Sequence, residues 1–280
     1  EVTISIDQSS SGISFRSGEG VGTVTKVGLP IGVGEPAINP IPREMIKNAI
    51  LEVSKKNNKQ VGVIVEISIP GGEEIALKTW NPRLGIVGGL SILGTTGIVI
   101  PFSCSAWIHS IHRGIDVARA AGVNHVGACT GSTSETAVRQ KYELPESSIL
   151  DMGDFVGGAL KYLRTHPIER ITIGGGFGKL SKLGQGHLDL HSGRSQVDLD
   201  WLAKLAGRVC ESDKVLGQIY AANTAMEVLG IASQNKIQLA DLVANEARII
   251  ALEVLSSAPV AVEVLIFDRS GHLVGSANGW

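Results

Sequence analysis

The alternation of apolar and polar positions divides the chain into two parts with different patterns. Residues 2–6 and 61–69 alternate with period two, which predicts strands, and the apolar stripe of residues 42–53 predicts one helix between them. From residue 81 onwards a strand, a glycine-rich turn and a helix follow one another repeatedly. Such repetition requires crossover helices and therefore predicts a mainly parallel sheet.

These patterns predict two domains in a fold of mixed α/β and α+β class. A smaller α+β domain occupies residues 1–80, and a Rossmann-like α/β domain with flanking helices occupies residues 81–259 and carries the cofactor and catalytic loops. Near the end of the chain, two alternating runs flank Asp268-Arg269-Ser270-Gly271, which indicates a hairpin. An antiparallel hairpin fits poorly inside a parallel sheet, and the alternative is that residues 260–280 return to the first domain.

Composition and charge narrow the class of protein. The chain has 280 residues, of which 43% are hydrophobic, enough to bury a core in one or two domains. A formal net charge of -2 supplies no broad basic field, so we expect no nucleic-acid partner. The three cysteines form no C-x-x-C pair, which predicts reduced thiols in a cytoplasmic protein rather than disulfides or a zinc site.

Two other kinds of site are not expected. No run reaches the roughly 18 apolar residues of a membrane-spanning helix, and the first residues have no signal-peptide layout, so no membrane partner is predicted. His109 and His112 stand three residues apart on a predicted helix, as metal ligands can. No cysteine or carboxylate run supplies the further ligands of a closed site, and we predict no metal.

The most informative segment is a predicted strand, helix and strand over residues 124–154. The first strand ends in the run from Gly127 to Gly131, and the second ends at Asp151. In nucleotide-binding sheets such glycines let a cofactor approach the backbone, and an acid about 20 residues later binds ribose hydroxyls. The competing interpretation is that residues 132–135 form only a helix capping box. The predicted cofactor contacts are Gly127, Gly131, Ser132 and Asp151.

Two further glycine clusters follow predicted strands. One spans residues 174–178, and the other spans residues 88–97 after the strand that begins at Leu84. The first is not a phosphate-binding loop, because Ile173 and Leu180 replace the Gly and the Ser or Thr of that motif. Open α/β sheets bind ligands where such loops gather at the carboxyl edge, although turn formation alone also explains these glycines. The predicted cofactor contacts in these loops are Gly88, Gly89, Gly94, Thr95 and Gly175.

His187, Asp189 and His191 stand at alternate positions of one segment. In an extended segment, alternate side chains point to the same side. A row of this kind suits acid/base catalysis or polar ligand contact, and we predict these three as the catalytic residues. A capping or loop-bracing role of Asp189 is an equally open alternative, and no serine stands at a recognisable nucleophile elbow.

Three long strings carry a family resemblance. They are GVGTVTKVGLPIGVGEPAINPIPREMI at 20–46, NPRLGIVGGLSILGTTGIV at 81–99 and GKLSKLGQGHLDLHSGRSQVD at 178–198. With these strings spread over most of its length, the chain resembles the CbiD family of cobalamin biosynthesis, the cobalt-precorrin-5B C1-methyltransferases of the anaerobic pathway. The resemblance implies transfer of a methyl group from S-adenosylmethionine to carbon 1 of cobalt-precorrin-5B, which gives cobalt-precorrin-6A.

The resemblance also implies how the tetrapyrrole substrate is bound. That substrate carries several carboxylates, which a chain of net charge -2 can hold only with local cations. Cations within or beside the matching strings are therefore candidates, with solvated surface charge as the alternative for each. The predicted substrate-binding residues are Lys26, Arg43, Arg83, Lys179 and Arg194, and Lys182 lies in the same string. A homo-oligomer is the alternative to a monomer, and the sequence favours neither.

One feature departs from the family pattern and leaves rival functions open. Members usually begin with a further segment that carries a Thr-Thr-Gly-Thr-Cys motif, and nothing like it precedes Glu1. Loss of that segment would suit a tetrapyrrole-binding protein without catalytic activity. Taken alone, residues 124–154 suggest a dinucleotide-dependent oxidoreductase, although they lack a G-x-G-x-x-G motif.

Overall fold

The structure is a computed structural model that describes residues 1–7, 12–58, 62–94 and 103–280. The chain divides into two compact units, Glu1–Ser103 and Cys104–Trp280. No helix among the described residues combines the length and the apolar character that a membrane span needs.

The described part of the first unit combines two small sheets with two helices. Its strands are β1 (Val2–Asp7), β2 (Ile13–Ser17), β3 (Thr23–Val24), β4 (Gly62–Ile67) and β5 (Ile86–Val87), and its helices are α1 (Pro40–Lys56) and α2 (Gly72–Ala76). β4 lies between β1, which is antiparallel to it, and β2, which is parallel to it. β3 and β5 form a separate antiparallel pair.

The boundary that the sequence predicts after residue 80 differs from the one in the structure. The strand expected at Leu84 becomes β5, and its partner is β3 of the first unit rather than a strand of the larger sheet. Hydrogen bonds of Leu90 to Gly20 and Gly22 continue this pairing. Residues 81–94 therefore belong to the first unit.

α1 packs its apolar stripe against the buried side of β4. The helix begins with proline, whose missing amide the first turn of a helix does not use. Ile46 and Ile50 of α1 pack against Val63, Val65 and Ile67, which occupy alternate positions of β4. The predicted helix and the alternating strand after it are confirmed, with longer bounds for the helix.

The second unit, which the structure describes throughout, consists of one five-stranded sheet, eight α-helices and a short 3-10 helix at Glu146–Ser148. Its strands are β6 (His125–Cys129), β7 (Ile149–Asp151), β8 (Arg170–Gly176), β9 (Ala261–Phe267) and β10 (Leu273–Ala277). Its helices are α3 (Cys104–Ala120), α4 (Ser132–Tyr142), α5 (Val156–Leu163), α6 (Phe177–Gly184), α7 (Leu199–Ala206), α8 (Asp213–Tyr220), α9 (Ala225–Gln234) and α10 (Leu239–Leu255). The predicted α/β character is confirmed as a mixed sheet with helices.

The strand order creates a switch point between β6 and β8. Across the sheet the order is β10, β9, β8, β6, β7, and all pairs are parallel except β9 with β10. From β6 the chain passes through α4 to β7 on one side, and it then returns past β6 to β8 on the other side. Neighbouring loops therefore diverge at the carboxyl ends of β6 and β8, where open α/β sheets form a ligand-binding crevice.

The C-terminal hairpin does not return to the first unit. β9 pairs in parallel with β8 from Ala261 to Phe267, and β10 adds to the sheet as an antiparallel edge strand. An edge position needs only one partner strand, so it accepts an antiparallel strand without disturbing the parallel ones. Between residues 213 and 234 the chain forms two helices, α8 and α9, because the Thr224 side chain accepts from the Glu227 amide and caps a new helix start.

Candidate functional site

The carboxyl ends of β6 and β8 meet closely at the switch point. The Thr130 amide donates to the Gly174 carbonyl at 2.9 Å, and Lys179 Nζ donates to the Thr130 carbonyl at 2.8 Å. Lys179 also pairs with Asp154 at 3.1 Å. A Cβ on Gly175 would lie 2.8 Å from Thr130 Oγ1, too close for any side chain. Gly175 therefore acts as a packing position that brings the two loops together.

Two helices begin at this edge without a side-chain cap. The N-cap of α4 is Gly131, and the N-cap of α6 is Gly176. A Cβ on either glycine would meet no atom within 4 Å, so space is open beside both turns. The first amides of a helix lack partners within the helix and favour negative groups. The edge therefore offers backbone donors next to open space.

The capping-box interpretation of residues 132–135 is wrong. α4 begins at Ser132 itself, whereas a capping residue stands immediately before the helix. Ser134 Oγ instead donates to the Gly131 carbonyl at 2.8 Å. Ser132 is exposed at the start of the helix, so it stays a candidate for contact with a ligand.

Asp151 lies at the end of β7, in register with Cys129 of β6. Its Oδ1 accepts the Gly153 amide at 3.1 Å, which fixes the carboxylate at the turn after the strand. Its carbonyl accepts from Trp107 Nε1 of α3 at 3.1 Å. Because β7 neighbours β6, this carboxylate belongs to the same sheet edge as Gly131.

Gly127 is a packing residue of the sheet rather than part of a ligand loop. It lies inside β6, and a Cβ there would come within 2.7 Å of Val138 and 3.0 Å of Ile149. Those side chains leave no room for a cofactor beside its backbone. Cys129, two residues later, is fully buried, and burial raises the pKa of its thiol far above the usual range. Neither residue offers chemistry to a ligand.

The described part of the glycine cluster at residues 88–97, which ends at Gly94, lies outside the sheet of the second unit. Gly89 approaches the backbone of Gly20 and Val21, which a Cβ would meet at about 2.2 and 2.6 Å. Gly88 and Gly94 adopt positive φ values of 84° and 131°, which glycine alone adopts readily. The prediction of three glycine loops on one sheet edge is therefore wrong, because this cluster follows β5. Thr95 lies outside the described residues.

The segment with His187, Asp189 and His191 bends and turns, so its side chains do not form the predicted row. Asp189 Oδ1 accepts the His191 amide at 3.0 Å, and Oδ2 accepts from Arg194 Nη1 at 2.5 Å. Burial by itself raises the pKa of Asp189, but these two hydrogen bonds outweigh it and the net pKa is lowered. The loop-bracing alternative is therefore what the structure shows for Asp189. His187 and His191 are exposed.

A buried lysine holds the same loop from beneath. Lys182 of α6 is 6% exposed, and its Nζ donates to the carbonyls of Leu190 at 2.5 Å and Ser195 at 3.1 Å. Burial lowers its pKa. Because the ammonium is committed to two backbone carbonyls, Lys182 is not a solvated surface charge and cannot serve a substrate.

The predicted cations of the first unit differ in how firmly they are held. The Arg43 guanidinium donates to the carbonyls of Ile38 and Pro36 and to the Glu35 carboxylate, each at 2.9 Å. These contacts close the turn before α1, so Arg43 is a structural residue. Lys26 lies across Gly85, and Arg83 stacks over the Trp80 ring at 5.7 Å.

The second unit also contains an open groove that the sequence did not indicate. Its volume is about 490 Å³, and its walls come from α3, α5 and the loop over residues 188–194. Two successive glycines of α5 allow these walls to approach. A Cβ on Gly157 would meet Leu188 at 2.7 Å, and one on Gly158 would meet Ile108 at 3.1 Å. This glycine pair in an apolar helix is the sequence signal from which the groove could have been found.

Comparisons with known proteins agree on one family. The CbiD family model matches residues 1–101, and the model of the CbiD C-terminal domain matches residues 189–278. A Brucella anthropi protein named Cobalt-precorrin-5B C(1)-methyltransferase is 58% identical over 264 residues, which cover 94% of this chain and 72% of that protein. A Bradyrhizobium protein of the same name is 55% identical over 279 residues, which cover 100% of this chain and 74% of that protein.

A solved structure of a cobalamin biosynthesis protein (cbiD) from Archaeoglobus fulgidus is more distant. It aligns with 84% of this chain at 22% identity and a TM-score of 0.28, and this chain spans 61% of its length. The identity to the two bacterial proteins extends over most of both chains, which confirms the resemblance seen in the sequence. The chain belongs to the CbiD family.

Proposed function

We propose that this protein transfers a methyl group from S-adenosylmethionine to carbon 1 of cobalt-precorrin-5B. The relatives that share more than half of the aligned residues carry the name of a methyltransferase acting on that compound. The family itself is one of cobalamin biosynthesis. The function predicted from the sequence strings agrees with the name of these relatives.

The observation that supports a donor site in the second unit is the switch point between β6 and β8. Numbered within this unit, the strand order is 2-1-3-4-5, with the last strand antiparallel at the edge. This order supports a Rossmann-like, doubly wound sheet, in which ligands bind outside the carboxyl ends of the strands at the switch point. Gly131, Gly176 and Asp151 all lie at that edge.

The residues at this edge fit the functional groups of S-adenosylmethionine. The uncapped starts of α4 and α6 suit the carboxylate of its methionine part, because helix N-termini favour anions. Asp151 suits the ribose hydroxyls, as acids at the end of the second strand do in nucleotide-binding sheets. Open space at Gly131 and Gly176 lets a ligand approach the backbone, with Ser132 as a further polar contact.

When bound, S-adenosylmethionine supplies an electrophilic methyl group on a sulfonium. The protein must hold donor and ring carbon close together and in line, and such positioning can supply about 7 to 11 kcal/mol of a barrier. The Lys179 contacts to Thr130 and Asp154 keep the two loops of the edge in place for this purpose. No covalent nucleophile of the protein is required.

Several predictions from the sequence are kept as part of this proposal. His187 and His191 stay candidates for proton transfer, while Asp189 acts by bracing their loop. Lys26 and Arg83 stay candidates for substrate carboxylates. A cytoplasmic location, predicted from the reduced thiols, is kept as well.

The donor site is tested by changing Asp151 in two ways. Asp151→Asn keeps an oxygen for the Gly153 amide but removes the charge, whereas Asp151→Ala removes both. A hydrogen bond to a charged group contributes about 1.5 to 3 kcal/mol, so we expect each variant to bind S-adenosylhomocysteine roughly 10- to 150-fold more weakly. Isothermal titration calorimetry measures the affinity, and thermal melting shows that Asp151→Asn keeps the fold.

Asp268, directly after β9, provides a matched control. It also accepts backbone amides, those of Ser270 and His272, at 2.8 and 2.9 Å. Asp268→Asn should leave the affinity for S-adenosylhomocysteine unchanged. If Asp151→Asn binds S-adenosylhomocysteine with wild-type affinity, Asp151 is not the ribose contact. Binding of NAD, with no binding of S-adenosylhomocysteine to the wild type, would favour the oxidoreductase instead.

A further inference from the structure

We propose that the groove between α3, α5 and residues 188–194 binds the carboxylate-bearing rim of the cobalt-precorrin ring, with Lys161 and Arg194 as the recognising cations. This inference rests on the proposed methyltransferase function. It assigns the acceptor to a surface of the second unit that neither the family models nor the names of the relatives describe.

The groove has the composition that a flat ring with an anionic rim requires. Ile108, Phe155 and Leu188 provide apolar lining. One wall is aromatic, because the rings of His112 and Tyr162 stack at a centroid distance of 4.0 Å. Sites for small molecules are mostly apolar with a few polar groups that fix orientation, and this groove follows that pattern.

The charges that line the groove favour an anion. Lys161 is exposed in the last turn of α5, and among the described residues it has no ion-pair partner. The carboxylate of Asp189 faces the groove too, but it is engaged by Arg194 at 2.5 Å. Burial is the main cause that lowers the pKa of His112, so this ring is neutral near pH 7. Lys161 and Arg194 therefore outnumber the single carboxylate of Asp189, which leaves the lining with one net positive charge.

Asp189 is the positioning residue of this arrangement. Its Oδ2 holds Nη1 of Arg194, while Nη2 of the same guanidinium donates to Cys104 Sγ at 3.7 Å. A guanidinium has five N–H donors, so donors remain for a carboxylate of the ring. Ser195 Oγ donates to the Asp189 carbonyl at 2.8 Å and fixes the backbone that carries both residues.

Packing and hydrogen bonds link the walls of the groove to the proposed donor edge. Phe155 packs against Trp107 at a centroid distance of 6.3 Å, and Trp107 donates to the carbonyl of Asp151. On the other side, the Leu190 amide donates to the carbonyl of Asp154, whose carboxylate pairs with Lys179. A ring held in the groove therefore lies beside the edge that would hold the methyl donor. Methyl transfer in line requires this adjacency.

Two stable cobalt corrins distinguish recognition of carboxylates from recognition of the ring. Dicyanocobyrinic acid carries free carboxylates, whereas dicyanocobinamide carries amides on the same ring. We expect the wild type to bind the acid more tightly. Lys161→Gln and Arg194→Gln should each weaken binding of the acid about five- to tenfold while leaving binding of the amide unchanged. Isothermal titration calorimetry on the full chain measures both affinities.

The control variant and the donor separate this inference from the proposed function. Lys204→Gln changes an exposed lysine of α7 and should alter neither affinity. S-adenosylhomocysteine should bind all variants as it binds the wild type. If Lys161→Gln and Arg194→Gln bind the acid like the wild type, or if the wild type binds acid and amide equally or not at all, the groove is not the acceptor site. Donor binding at Asp151 would still stand in each of these cases.

Discussion

Lys182 offers a test of how the loop over residues 188–195 is held. Its Nζ is the donor for two carbonyls, those of Leu190 and Ser195, and the side chain is 6% exposed. Lys182→Met keeps the length and the apolar stem of the side chain but removes the ammonium. Both carbonyls then lose a partner in a place that water reaches poorly.

The expected loss of stability follows from these two contacts. A buried acceptor left without a partner costs about 1 to 3 kcal/mol, so the two carbonyls together set an upper limit of about 6 kcal/mol. Removing a buried ammonium returns part of this, since taking such an ion out of water costs several kcal/mol. We expect a net loss of about 2 kcal/mol, which lowers the melting temperature by roughly 4 to 8 °C in a unit of this size.

Thermal melting by circular dichroism measures this shift, with Lys204→Met as the matched control. Lys204 is exposed on α7, so its variant should melt within about 1 °C of the wild type. Lys182→Met should also bind dicyanocobyrinic acid more weakly, because the loop carries Arg194, while its affinity for S-adenosylhomocysteine stays the same. A Lys182→Met protein that melts like the wild type would refute the view that this lysine holds the loop.

Three further predictions concern other parts of the second unit. Burial lowers the pKa of His112 and His125 below the usual value of 6.5. The contribution of each neutral ring to the free energy of unfolding is therefore full above pH 6.5 and declines as the pH falls below it. His125→Gln should flatten the decline in melting temperature between about pH 7 and 5. Tyr142→Phe removes hydrogen bonds of 2.7 and 2.5 Å to the buried Glu263 carboxylate and should cost about 1.5 to 3 kcal/mol in urea unfolding. Gly131→Ala should cost no more than about 1 kcal/mol of stability, because alanine is a poorer N-cap than glycine but nothing lies near its Cβ, yet weaken binding of S-adenosylhomocysteine in calorimetry.

Local pattern was sufficient for the central part of the fold. The strand, helix and strand predicted over residues 124–154 are β6, α4 and β7, and Asp151 stands at the end of β7 as expected. Each of these elements shows its periodicity within a few residues, and a parallel pair joined by one helix has little freedom in its topology. The family strings added the function, which pattern alone left open between a methyltransferase and an oxidoreductase.

The sequence did not predict which distant segments pair with one another. β5 reads like any short strand, and only its partner β3 shows that it belongs to the first unit. The hairpin after Pro259 joins β8, a strand that ends more than eighty residues earlier in the chain, because β9 is parallel to it. Period-two spacing also failed at residues 187–191, since the Asp189 side chain bonds to the backbone two residues on and bends the segment.

Contacts between distant segments also decide the roles of the cations in the three strings that carry the family resemblance. Arg43, Lys182 and Arg194 look alike in sequence, but the structure gives them three different tasks. Arg43 closes a turn, Lys182 holds two buried carbonyls, and Arg194 stays exposed beside the groove with donors to spare. Contacts between distant parts of the fold decide whether a cation is bound within the protein or free to bind a ligand. The sequence does not show these contacts, so it could not distinguish the three residues.

The glycines of the second unit show why a motif alone does not locate a ligand. Gly127 and Gly175 are required because neighbouring side chains fill the space that a Cβ would take, so both would be needed without any cofactor. Gly131 and Gly176 stand next to open space, and their φ angles of 164° and -76° can be adopted by any residue. Packing and backbone conformation do not require glycine at these two N-cap positions, although glycine is a better N-cap than alanine. The proposed methyl donor would add a reason for glycine here, because it would have to approach the backbone closely, and both positions flank the switch point.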